Sequence, residues 1–336
     1  MGTMQTRRRF IATASLAGAA GLAAVPRPLH AELPPEVTSV RFPKFLPANC
    51  DPPLYYAEDL LRAEGFTDVV YREIKPGEDN SVLLAEKVLD FNWDFAPAHI
   101  VAIDAGLPVK ILGGMHSGCL ELIANESIRS VGDLKGKKVG VYEVTSQPHI
   151  LVALMAAYVG LDPHHDIEWV ENAEESPMQL FIDGEIDAFL AIPPEPQEMH
   201  ARGVGHTILA SATDQPWSHY FCCFLTTGAD FAAKYPVATK RVMRALLKSV
   251  DLCVSQPERV ARAMIDRKFA NNYDFTFQAI SEIRYDRWRD FDPEDTVRFY
   301  ALRLQETGFI TSNPNTVIAN GTDWRFLDEL RRELKT

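Results

Sequence analysis

The 336 residues lack any apolar run long enough to cross a membrane. The most apolar stretch, Ile11 to Val25, spans about 15 residues, short of the ~20 that a spanning helix needs. Cysteine is scarce and spread out, at positions 50, 119, 222, 223 and 253. An odd number leaves at least one thiol unpaired if all pairing is internal. Cys222 and Cys223 are expected to point to opposite faces of a strand, which prevents a bond between them, so no disulfide framework is expected. Sequences of the form GxSxG, GxxxxGK[ST], CxxC and HExxH are absent, as is a GxGxxG at a strand-helix junction. No catalytic machinery, cofactor site or metal site is therefore expected. Basic charge is in deficit, with 34 Lys and Arg against 46 Asp and Glu for a net charge of −12. That balance argues against nucleic acid, which demands concentrated cations, but it leaves small-molecule ligands open.

What is present begins with an address. Thr6-Arg7-Arg8-Arg9-Phe10-Ile11, the apolar stretch after it and the small-residue site Leu29-His30-Ala31 read as a twin-arginine export signal over residues 1–31, cleaved after Ala31. No cysteine lies near the cleavage region to take a lipid, so release into the periplasm is expected. Removing these residues takes away four arginines and no acid, shifting the net charge from −12 to −16.

The remaining chain is long enough for two lobes. Strands are expected at Val37–Phe45, Val69–Ile74, Trp93–Pro97 and Val109–Gly113, alternating with helices at Leu54–Glu64, Asn80–Leu89 and Ile100–Ala105. After an outward crossing strand, Leu120–Asn125, the rhythm restarts from Asp133. Strands 138–142, 167–170, 188–192 and 207–210 alternate with helices 147–159, 177–183 and 195–202. A return strand, His219–Thr226, leads into helices only. This alternation means α/β architecture, expected as two mainly parallel sheets with helices on both faces and a helical C-terminal tail.

The stretch Asp133–Gly160 shows the unit most clearly. A lysine-flanked apolar strand meets the polar turn Glu143–Gln147, and a helix opens with Thr145 or Ser146 as N-cap and Pro148 in its first turn. Leu151, Leu154, Met155 and Tyr158 mark its apolar face, and Gly160 stops it. Free backbone N–H groups beside these hydroxyls suit a small polar ligand; a simple helix cap is the competing reading.

Three runs carry a resemblance: Pro53-Leu54-Tyr55-Tyr56-Ala57, Val131-Gly132-Asp133-Leu134-Lys135-Gly136-Lys137-Lys138-Val139-Gly140-Val141, and Asp183-Gly184-Glu185-Ile186-Asp187-Ala188-Phe189 before Pro193-Pro194-Glu195-Pro196. In this order and spacing, over roughly residues 37–270, the chain resembles periplasmic substrate-binding proteins of ABC transporters. The similar branch contains the nitrate, sulfonate, taurine and pyrimidine-precursor binders. The resemblance implies a two-lobed, type II periplasmic-binding-protein fold. Lobe 1 is then expected from 32–117 and 224–336, and lobe 2 from 118–223. It further implies a monomer that captures a small anion or heteroaromatic solute without transforming it and delivers it to an ABC permease in the inner membrane. The alternatives are a sensory binding protein and a pyrimidine-synthase-like enzyme using a metal at the cysteine pair, since Phe221-Cys222-Cys223-Phe224 faintly resembles the cysteine cluster of the iron-containing eukaryotic pyrimidine-synthase relatives.

Ligands of open α/β sheets lie at the carboxyl ends of strands, which points to loops 45–53, 96–99, 115–119, 143–147, 192–196 and 217–221. The candidate ligand-binding residues there are Asn49, Tyr55, His99, His116, Thr145, Ser146, Gln147, Pro193, Trp217 and His219. The hydroxyls and amides would hold polar atoms, the histidines would donate protons, and Trp217 would cover a planar solute. Lys44 and Arg202 are the conspicuous basic residues, and only at the margins, so an anion held by ion pairs is disfavoured. Glu195 is expected as a solvated helix-start carboxylate, and Phe221-Cys222-Cys223-Phe224 as a buried strand whose small apolar side chains are inert.

Overall fold

In the computed structural model, residues 32–75, 78–172 and 174–335 are described; the export signal and its cleavage site lie outside them. The first β-strands arise where β-branched and aromatic residues cluster. β1 (Ser39–Lys44) and β2 (Asp68–Glu73) pair in parallel. β3 (Phe91–Phe95) lies beside β1, tied by Asp90 N–H to Arg41 O at 3.0 Å. β4 (Val109–Ser117) runs nine residues, four more than its apolar pattern suggests, and leaves the sheet towards β5 (Glu121–Ala124).

β6 (Lys137–Val141), β7 (Ile167–Glu171), β8 (Ala188–Ala191) and β9 (His206–Ala210) join β5 in one sheet of order β7-β6-β8-β5-β9. The chain returns through a 3-10 turn, Trp217–His219, into β10 (Phe221–Gly228), which inserts between β3 and β4.

The sheets are mixed where mainly parallel sheets were expected. β1–β2, β6–β7 and β6–β8 are parallel, but β10 is antiparallel to β3 and β4, and β5 is antiparallel to β8 and β9. The reason is the double crossing. A strand that carries the chain out of one sheet and one that brings it back must enter with reversed direction. The α/β rhythm itself is as expected, and from Pro35 onward the chain forms one compact unit.

Helix boundaries moved where local chemistry competed. The helix expected over 54–64 is two pieces, Pro52–Tyr56 and Glu58–Ala63, separated at Ala57. Pro97, expected at a strand end, instead sits in the first turn of the helix Ala96–Asp104, where its missing N–H costs nothing. The tail helices cover the β1–β4 side. Pro236–Ser255 presents Val242, Met243, Leu246, Leu247 and Val250 to the core, and Ser249 Oγ donates to Pro53 O at 2.7 Å. Within this layer Glu64 is clasped by Arg244 at 2.7 Å and Lys248 at 3.3 Å.

Candidate functional site

A cleft of about 730 Å³ opens at the carboxyl ends of β1, β2, β3 and β6. Its lining comes from the loop after β1 (Asn49, Cys50, Asp51), the segment after β2 (Glu78–Val82), the end of β3 (Trp93–Phe95) and the turn after β6 (Tyr142–Pro148). A smaller hollow of about 350 Å³, lined by Lys44, Ile192, Pro193, Pro194 and Glu195, shares Phe45, Asn49 and Tyr142 with it. A larger hollow, about 940 Å³, lies at the opposite strand ends, between β1 and the helix that follows β10. In it Arg41 pairs with Asp90 at 2.7 Å and Lys87 with Asp230 at 3.0 Å, and Lys234 lies over the Tyr235 ring.

The cleft differs in that its polar atoms are not satisfied. Buried polar atoms are hydrogen-bonded as a rule, and an orphan costs about 1–3 kcal/mol. Here Asn80 Oδ1, Trp93 Nε1, Ser146 Oγ and Gln147 Oε1 are all buried without a partner, and all four residues line the same cleft. Two are acceptors, one an obligate donor and one either. Ser146 occupies the N-cap position of the helix Gln147–Tyr158, yet its hydroxyl makes no capping bond. The residue before it, Thr145, sits at φ +82°, a left-handed conformation that a β-branched side chain adopts only under strain of about 1–3 kcal/mol. Its N–H donates to His149 Nδ1 at 3.2 Å.

The charge lining is one-sided. Asp51, Glu78, Asp79, Asp94 and Glu143 border the cleft and, among the described residues, no Lys or Arg does; Arg72 behind it pairs with Glu78 at 2.7 Å. Burial pushes the Asp94 carboxyl up from 3.8 to about 6, with Asn80, Asn92 and Gln147 among the hydrogen-bonding neighbours that hold it back. Burial likewise raises Asp51 to about 7, although Tyr55 Oη donates to it at 2.7 Å and Asn49 N–H at 2.8 Å. In the neighbouring hollow Glu195, expected to be solvated, is enclosed. Its carboxylate accepts from Ile192 N–H at 2.9 Å, and burial raises it to about 7.

Of the residues expected at the site, Asn49, Thr145, Ser146 and Gln147 line the main cleft and Pro193 the smaller hollow. Five do not line either. Tyr55 is fully buried, stacked on Phe269 at 4.2 Å, and acts by fixing Asp51. His99 is buried with Nε2 3.2 Å from Asp94 O, and desolvation lowers its pKa to about 4, so it is a neutral core residue. Trp217 is buried against Phe299 at 5.6 Å and Tyr158 at 5.8 Å, away from the cleft. His219 ends the 3-10 turn and is exposed. His116 is fully buried beneath Trp93, centroids 6.0 Å apart.

The segment Glu78–Ser81 and the strand residues Trp93 and Asp94 were missed. The carboxyl-end rule applied to β2 would have named the former.

His116 leads to the sharpest departure from expectation. Its ring nitrogens, Cys50 Sγ and Cys119 Sγ include one donor atom each lying within 4.8 Å of the others. Cys223 Sγ is 3.5 Å from Cys50 Sγ, and Cys222 Sγ is 3.3 Å from Cys119 Sγ. Cys222 and Cys223 do not alternate as expected, because β10 is bulged there. Two β10 steps, Phe221 to Cys223, face the single β4 step from Ser117 to His116. Such a bulge re-aims a side chain. Cys50 and Cys223 also line the cleft.

A family model described as NMT1/THI5 like matches residues 53–260. Among curated proteins, the bicarbonate-binding protein CmpA of Synechococcus sp. is 30% identical over 114 residues, 33% of this chain and 25% of CmpA. The match thus spans a quarter of that relative's length. Among solved structures, the periplasmic nitrate-binding protein NrtA of Synechocystis PCC 6803 superposes with a TM-score of 0.76 at 14% identity, covering 90% of each chain. The alkanesulfonate-binding protein SsuA of Xanthomonas axonopodis pv. citri, bound to MOPS, gives 0.68 at 14% identity, covering 86% of this chain and 99% of that one. These likenesses establish the periplasmic-binding-protein fold.

Proposed function

We propose, from the premise that this chain belongs to the NMT1/THI5-like family, that it is the extracytoplasmic solute-binding component of an ABC importer. It takes up one small solute between two lobes, 32–117 with 224–336 and 118–223, and hands it to a membrane permease unchanged. That CmpA, NrtA and SsuA are each binding proteins supports this reading and an extracytoplasmic location. The twin-arginine signal with cleavage after Ala31 belongs to the same proposal.

The observation that carries it is the set of four buried, unpartnered polar atoms facing one cleft. They come from both sides of the double crossing: Asn80 and Trp93 from the β1–β4 side, Ser146 and Gln147 from the β6 turn. A solute that bonds to both would stabilise the closed arrangement by contacts the open one lacks.

The lining also favours one of the two expected solute classes. Five carboxylates, of which Glu78 is already paired with Arg72, and no basic residue among the described lining make an ion-paired anion unfavourable, whereas a heteroaromatic with ring nitrogens and an amine matches. The amine would meet Asp94, the ring acceptors would take protons from Trp93 Nε1 and Ser146 Oγ, and the apolar faces would lie against Phe45, Phe95 and Ile74. We therefore propose a neutral or cationic nitrogenous heteroaromatic.

Calorimetric titration with aminopyrimidines, and in parallel with nitrate, bicarbonate and alkanesulfonates, tests this. Binding is expected with the first group and absent with the rest. Saturable binding of the anions alone would overturn the solute class, and multiple turnover of any bound compound would overturn the transport reading.

A further inference from the structure

The buried thiols beside this cleft have no role in the reading above. Four of the five cysteines converge from three distant parts of the chain: Cys50 after β1, Cys119 on the outward crossing, Cys222 and Cys223 on β10. All four are buried, and His116 at the end of β4 joins them with 0% exposure. We propose that this nest binds one thiolate-preferring d10 cation, zinc(II) or copper(I), through Cys50, His116 and Cys119 with the fourth position filled from the Cys222–Cys223 pair.

Geometry is the first support. A tetrahedral site with metal–sulfur bonds of about 2.3 Å and metal–nitrogen bonds of about 2.0–2.1 Å sets its ligand atoms roughly 3.5–3.8 Å apart. The thiol pairs stand at 3.3 and 3.5 Å, and the Cys50, His116, Cys119 donors lie within 4.8 Å of one another. The Cys50, His116 and Cys119 donors need to draw together by up to about one ångström to enclose a cation, and the fourth ligand comes from the pair whose sulfurs touch Cys50 and Cys119. A disulfide bond, at about 2.05 Å, would require each sulfur pair to close by more than an ångström.

The second support is His116 itself. Both ring nitrogens are buried without a hydrogen-bond partner. Its ring is held edge-on by Tyr285 at 5.4 Å and stacked under Trp93 at 6.0 Å. An imidazole held in this way, with sulfur as its polar surroundings, has a lone pair to offer a metal.

The bulge on β10 is the third. In a regular strand one of two adjacent cysteines would face away. The extra residue brings both thiols to the nest, at the expense of a ladder hydrogen bond. The ligand backbones are also pinned: Tyr285 Oη donates to Cys50 O at 3.0 Å, and Cys119 N–H donates to Ser211 Oγ at 3.1 Å. Partners of this kind orient metal ligands.

No carboxylate belongs to the donor set, which favours soft cations over magnesium or calcium. Cys50 and Cys223 line the cleft, giving an entry path. The fifth cysteine, Cys253, lies on the helix Pro236–Ser255, outside the nest, and serves as an internal control.

The test uses the exported chain purified without oxygen and without added reductant. Metal analysis, zinc(II) titration against a chromogenic chelator, and copper(I) titration against bicinchoninate measure stoichiometry and choose between the two ions. Cobalt(II) loading reads the ligands directly, through a thiolate-to-metal charge-transfer band with a tetrahedral d–d envelope. One equivalent per chain is expected. Binding should weaken at least about tenfold, roughly 1.4 kcal/mol, in His116→Ala and in Cys222→Ser with Cys223→Ser, and remain unchanged in Cys253→Ser.

Because the core variants can misfold, thiol counting on the wild type is the second arm. All five thiols should titrate in denaturant with chelator and no reductant. A single titrating thiol would mean two disulfides and overturn the proposal, as would five free thiols in a protein that takes up neither ion. Solute binding is measured separately, so failure here leaves the transport reading standing.

Discussion

Replacing Asp94 by Asn separates a ligand-binding carboxylate from a structural one, because the two roles predict opposite signs. In the unliganded protein burial has raised its pKa from 3.8 to about 6, so the folded state resists ionising it. A shift of two units corresponds to about 3 kcal/mol. The amide keeps an acceptor for Phe95 N–H, 2.9 Å away, but forfeits part of the bond from Asn80 Nδ2 at 3.2 Å, worth ~1 kcal/mol. Asp94→Asn is therefore expected to stabilise the unliganded protein by about 1–2 kcal/mol at pH 7.5, a rise of roughly 2–4 °C in Tm.

The pH dependence fixes the sign. The folded pKa lies above the unfolded one, so the folded state holds the extra proton between about pH 4 and 6, and the wild type loses stability as pH rises through that window. The variant's advantage should be absent below about pH 4 and complete above about pH 6. Binding should move the other way. Losing a charge-assisted hydrogen bond to the ionised Asp94 costs about 1.5–3 kcal/mol, so calorimetry with an aminopyrimidine should show roughly 10–150-fold weaker affinity at pH 7.5. A lower Tm at pH 7.5 with unchanged affinity would refute the reasoning and make Asp94 a structural residue.

Four further outcomes are expected. Ser146→Ala should weaken solute binding by about 1–3 kcal/mol while leaving the denaturation midpoint near wild type, since Ser146 Oγ has no partner to lose. Thr145→Gly should raise stability by about 1 kcal/mol in chemical denaturation by relieving the φ +82° strain. Glu64→Gln should lower stability by about 1–3 kcal/mol in the same assay, because it removes the charge that Arg244 and Lys248 share while Arg244 keeps Glu333 at 3.1 Å. Gly114→Ala should cost about 2–3 kcal/mol or prevent folding, as its Cβ would lie 2.2 Å from the Phe221 ring across β4 and β10; a melting curve within a degree of wild type would contradict that packing.

The alternation of strands and helices, the double crossing and the turn at Thr145–Gln147 were legible in the sequence. Each is written in local signals: apolar period, Gly160 as a stop, proline in a first turn. Strand direction was not, because whether β5 and β10 run with or against their neighbours depends on how the chain re-enters a sheet. Local pattern also put Tyr55, His99 and Trp217 among the cleft candidates, because their places at loop ends resemble those of cleft residues, whereas they line neither hollow. Packing against Phe269, Asp94 and Phe299 is a long-range matter.

Sequence by itself determined the family, through short runs whose spacing survives divergence, and it determined the shortage of basic residues that limits the solute. Only the tertiary structure decided that Glu78–Ser81, Trp93 and Asp94 face Ser146 and Gln147 across one cleft. The cysteines are the clearest case. Positions 50, 119, 222 and 223 have no metal-binding spacing in the chain, since ligand spacing is meaningful in sequence only when one local element supplies the ligands. Here three elements and a one-residue bulge supply them, and a bulge is the outcome of pairing between strands more than a hundred residues apart.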